Sequence, residues 1–69
     1  MNEQLIKEIC DLLKRQANFW VNTNDLKSPT HLNDIEEDVN SIDGLPETDA
    51  EELVELVSNL YWFVRKFKL

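Results

Sequence analysis

The residues with the strongest claim to chemistry lie in Asp38-Val39-Asn40-Ser41-Ile42-Asp43-Gly44, which starts like a calcium-binding loop. Such a loop needs oxygen ligands at positions one, three and five, glycine at six and a bidentate glutamate at twelve. Ile42 is one residue too many between Asn40 and Asp43. Counted from Asp38, position twelve is Asp49; counted back from Gly44, it is Ala50 and position one becomes Val39. Neither register supplies both an acid at one and a glutamate at twelve. No metal is expected here.

The other reactive side chains stand alone. Cys10 and His31 each occur once, which excludes an internal disulfide and argues against a tetrahedral zinc site. His31 is expected on the surface in the first turn of a helix, with no partner residues in a catalytic pattern. Cys10 falls at the edge of an apolar stripe and reads as a small hydrophobe. Carboxylates on a solvated helix lack the desolvation that would separate their pKa values for acid–base work. A chain of 69 residues is also expected to lack a ligand pocket of ~300 Å³ within one subunit. The expectation is no enzyme and no cofactor.

Charge is the sharper signal. Residues 1–27 hold four acids and four bases, whereas Asp34 to Glu55 holds ten acids and no base. Arg65, Lys66 and Lys68 then close the chain, and the net charge is −7. Such a field repels nucleic acid and anionic membranes and steers basic partners. Helix N-termini favour acids, which accounts for Asp49, Glu51 and Glu52 without further help. It accounts less well for Glu36, Glu37 and Asp38, because like charges crowded on a short helix cost stability. The second signal is Trp62. Counting 100° per residue, it points nearly opposite the centre of its helix's apolar stripe, where an interface anchor would stand.

Three helices are expected to position these residues, at about 3–21, 29–43 and 48–68, and nothing reads as a strand. In the first, Leu5, Ile9, Leu12, Leu13 and Trp20 share about a third of the circumference. Ile6, Cys10, Ala17, Phe19 and Val21 widen the stripe, so this helix wants two neighbours. Asn22-Thr23-Asn24-Asp25 is a breaker cluster. Ser28 and Pro29 then suit an N-cap and a first helical position. Leu32, Ile35, Val39 and Ile42 form a narrow stripe that ends before Gly44, where a left-handed residue is needed. Thr48 and Glu51 match a capping box. In the third helix the expected core stripe is Leu53, Leu56, Val57, Leu60, Val64 and Phe67, flanked by Val54, Tyr61 and Phe63. The terminal bases suit the negative end of that helix's dipole.

The fold class that follows is all-α, a small three-helix bundle in a single domain over residues 1–69. The two long helices should carry most of the core, with the shorter middle helix packed loosely across them. A chain this short draws only ~3–5 kcal/mol from its own core. Completion by self-association, as a homodimer or higher oligomer, is therefore expected. The N-terminus has no basic start and no apolar run, and no stretch approaches the ~20 apolar residues of a membrane span. A cytoplasmic protein with no membrane or direct nucleic-acid contact is the expectation.

Two functional classes remain. The first is a non-catalytic inhibitor or immunity-type protein, in the style of phage and mobile elements, that blocks a basic nucleic-acid-binding protein. Glu36, Glu37, Asp38, Glu47, Glu51 and Glu55 would then make the electrostatic contacts and Trp62 the apolar anchor. The second is a homo-oligomeric structural or regulatory module with Trp62 buried between copies and a merely solvated acidic face.

Overall fold

Asn2 starts the first helix: its Oδ1 accepts a hydrogen bond from the Leu5 amide at 3.1 Å, filling one of the orphan donors of a helix N-terminus. The computed structural model describes residues 2–23 and 28–68, with side chains for 2–23 and 32–68. It contains α1 (Glu3–Asn22), α2 (Ser28–Asn40) and α3 (Glu47–Arg65), and no strand among the described residues. Asn22 turns its amide back onto the Asn18 carbonyl at 2.8 Å, and Thr23 leaves α1 in an extended conformation. Asn24 and Asp25 of the breaker cluster lie outside the described residues. So do the side chains of Ser28, Pro29 and His31.

The middle helix is shorter than its apolar stripe. It ends at Asn40, where the Ser41 hydroxyl donates to the Asp38 carbonyl at 2.6 Å. The Ile42 amide then donates to the Val39 carbonyl at 3.1 Å, a 3₁₀ step that keeps Ile42 on the buried side. Gly44 follows at φ 83°, the left-handed turn its position called for. The third helix opens one residue earlier than expected, with Pro46 as its cap at φ −58° and ψ 147°. No side chain caps it, so the Thr48–Glu51 box does not form. Proline sets the entry angle, places Thr48 inside the first turn and leaves Glu51 free to face elsewhere. The helix ends at Arg65, and residues 66–68 continue as a 3₁₀ turn through Phe67 and Lys68 amides.

The core joins Leu12 and Trp20 of α1, Ile35, Val39 and Ile42 of the α2 stripe, and Val57 and Tyr61 of α3. Trp20 and Tyr61 meet edge to face at 5.9 Å. This corrects two expectations. The middle helix does not lie loosely: it packs on α3 more extensively than α1 does. Because α2 takes the side of α3 that carries Ala50, Val54 and Tyr61, the buried face of α3 is turned by roughly 70° from the expected stripe. Tyr61 is fully buried, whereas Leu56, Leu60 and Phe67 of the expected core are exposed.

The helix directions follow from the contacts. Arg15 and Gln16 in the middle of α1 reach Asp38 near the end of α2, so these two run antiparallel. At the other end, Lys68 Nζ donates to the Val21 and Thr23 carbonyls at 3.2 and 2.5 Å, so α1 and α3 run parallel. Lys68, expected to serve the dipole of its own helix, supplies the cation that the last turn of α1 lacks. The molecule measures 39 × 18 × 16 Å. Two helix diameters of 10–12 Å fill that cross-section, so every helix keeps one face in water.

Candidate functional site

The acids of α2 and α3 do converge. Glu36 and Asn40 of α2 and Glu47 and Glu51 of α3 line one groove between these helices, together with Val39, Ile42, Leu45, Ala50 and Val54. The groove is open to solvent and holds about 630 Å³. That exceeds the volume expected within one subunit of so short a chain. Its floor is apolar and its rim carries carboxylates. Among the described residues, no cation lies within ion-pair distance of Glu36, Glu47 or Glu51.

Asp38 is placed differently. Its Oδ1 accepts from Arg15 Nη2 at 2.7 Å and its Oδ2 from Gln16 Nε2 at 3.0 Å. The carboxylate is mostly buried while the Arg15 side chain is more than half exposed. This hydrogen bond, opposed by desolvation and helped by the charges of Asp38 and Asp11, holds the Arg15 guanidinium above its ordinary pKa. Asp38 thus joins α2 to α1, with both carboxylate oxygens occupied from within the chain. Glu37 and Glu55 are exposed and line no part of the groove.

Trp62 is 38% exposed, packed edge to face against Tyr61 at 5.3 Å with the Arg65 guanidinium 5.4 Å from its ring centre. On α3, Glu51, Glu55 and Trp62 fall within an arc of about 40° and span ~16 Å of helix. The two glutamates and the indole therefore share one stripe, which continues the groove rim toward the C-terminal end. Asp49 and Glu52 lie on another side, beside a second hollow of about 270 Å³ lined by Leu5, Ile9, Leu53 and Leu56 between α1 and α3.

No family model, curated protein or solved structure matches this chain. Among the described residues, no three His, Cys, Asp or Glu side chains come together as a metal site, and no helix is long and apolar enough to cross a membrane. Cys10 is exposed. The groove floor escaped the reading of the sequence, since Val39 and Ile42 read only as core and Leu45 and Ala50 carried no periodic signal. The one available hint was Leu45 just after Gly44, the place of the apolar residue that accompanies a left-handed helix end.

Proposed function

We propose that this protein is a non-catalytic binding module whose groove between α2 and α3 receives a basic segment of a partner protein. The class that fits is a small acidic inhibitor, of the kind that occupies a nucleic-acid-binding surface. The observation that carries the reading is the convergence of Glu36, Glu47 and Glu51 around an apolar floor. Lysine and arginine side chains are apolar along their stems and cationic at the tip, so such a groove offers both halves a counterpart. An arginine fork gains most, because carboxylates accept its paired N–H groups. Trp62, on the same stripe as Glu51 and Glu55, adds a flat aromatic surface at the far end.

The test compares the protein with a Glu36→Gln, Glu47→Gln, Glu51→Gln variant as immobilised bait for nucleic-acid-binding proteins. Elution steps from about 0.1 M to about 1 M salt, across which the Debye length falls from ~10 to ~3 Å. The expected result is a basic protein retained by the wild type, released at high salt, displaced by its own nucleic acid and not retained by the variant. Equal retention by both baits sinks the proposal.

A further inference from the structure

The side of the molecule away from α2 carries the opposite kind of surface. Ile6 of α1 is 51% exposed, and Leu56, Leu60 and Phe63 of α3 are 59, 45 and 55% exposed, followed by Phe67 at 77%. Leu56, Leu60, Phe63 and Phe67 recur at spacings of four, three and four, a helical stripe that runs on into the turn after α3. With α1 and α3 parallel, Ile6, Cys10 and Ala17 fall on the same side of the α1–α3 pair as that stripe. Phe63 and Phe67 pack edge to face at 5.4 Å, and Lys66 Nζ sits 5.6 Å from the Phe63 ring centre. This is a continuous face rather than scattered apolar residues.

We infer that a second copy of the chain covers this face, its α3 antiparallel to the first, in a twofold dimer that leaves both acidic grooves open. Area argues for a protein occupant. The five side chains leave on the order of 500 Å² of apolar surface in water, within the range of a monomer's largest patch and more than half of the ~800 Å² that each partner of a stable dimer buries. Charge selects the orientation. Asp49 and Glu52 border the N-terminal end of the stripe and Lys66 its C-terminal end. In a parallel pair the carboxylates would face carboxylates. With the twofold axis near Leu60, Glu52 of each copy stands toward Lys66 of the other. Trp62 lies off this face, so it is not part of the dimer contact.

Charge also gives the dimer a salt response of its own. Each copy carries a net charge of −7, so the copies repel at long range and added salt tightens an association built on apolar surface. Binding of a basic partner at the groove responds in the opposite direction, which keeps the two readings experimentally separate.

The experiment is sedimentation velocity on the full chain at about 200 μM, in low salt and in about 0.5 M salt. Expected are a dimer favoured at the higher salt and a Leu60→Glu variant whose dissociation constant rises at least ~10-fold, since a residue near the axis enters the interface twice. Phe67→Gln, beyond the end of α3, is a second dimer-breaking variant that spares the helix. Circular dichroism establishes that both stay helical, and Trp62→Ala should remain dimeric. Orientation is read by mixing Glu52→Cys and Lys66→Cys chains in a Cys10→Ser background. The antiparallel pair forms disulfides between the two kinds of chain, whereas disulfides between like chains overturn the orientation. A monomer at both salt concentrations overturns the proposal, whether or not it binds uncharged phosphatidylcholine vesicles, and so does a helical Leu60→Glu variant that dimerises like the wild type.

Discussion

Asp38 and Glu37 are neighbours of the same charge in one acidic run, yet the fold gives them different work. Asp38 is held by Arg15 and Gln16 across a helix interface, while Glu37 stands in solvent. Asp38→Ala removes a charge-assisted bond, discounted for the exposed arginine, and orphans a half-buried glutamine amide. The expected loss is about 1–2 kcal/mol, read as a lower urea midpoint at unchanged slope. Glu37→Ala should stay within about 0.5 kcal/mol of the wild type. Equal losses would remove the distinction drawn between them. The sequence could not separate the two residues, because the partners of Asp38 lie more than 20 positions away on another helix. Periodicity places a residue on a face of its own helix; it does not say what stands opposite. Tyr61 teaches the same lesson. The apolar residues of α3 point to two adjacent faces, one buried and one exposed, and averaging them set the expected core direction between the two.

At the scale of elements the sequence was more legible. Helix existence, order and approximate length followed from stripes of apolar residues, and Gly44 was identified as the left-handed residue before Leu45. Its φ of 83° is what excludes a side chain: a Cβ built there meets nothing within 4 Å. Gly44→Ala should therefore cost about 1 kcal/mol through backbone strain alone, and Gly44→Asn less, because asparagine tolerates this region. Thermal melts of the two variants make the comparison, and an alanine as stable as asparagine would show that the turn relaxes out of its left-handed form. The end of α1 was less legible. Its dangling carbonyls receive their cation from Lys68, 45 to 47 residues along the chain. Lys68→Met should cost about 0.3–1 kcal/mol and speed amide exchange in the last turn of α1 before that of α2.

The whole molecule divides into an acidic side and an apolar side, and the division carries a cost that can be measured. Glu36, Glu47 and Glu51 face one groove with no cation beside them among the described residues. Like charges at such spacing oppose the folded state, in which they are brought together, more than the unfolded one, in which they drift apart. Were these acids only a solubilising surface, their crowding around an apolar floor would have no compensating gain. The proposed binding surface would supply that gain, since residues selected for a partner are commonly those that hold a free protein below its best stability. The triple Glu36→Gln, Glu47→Gln, Glu51→Gln variant should thus be more stable than the wild type by roughly 0.5–1 kcal/mol in low salt. For a domain of this size that is about 3–6 °C in melting temperature. The gain should shrink as salt rises toward ~0.5 M and screens the repulsion. Because the proposed dimer face lies elsewhere, the variant should still dimerise, and with less mutual repulsion it should do so at lower salt than the wild type. A variant that is less stable than the wild type at every salt concentration would mean that these carboxylates support the fold, and the groove would then lose its claim as the site where a basic partner docks.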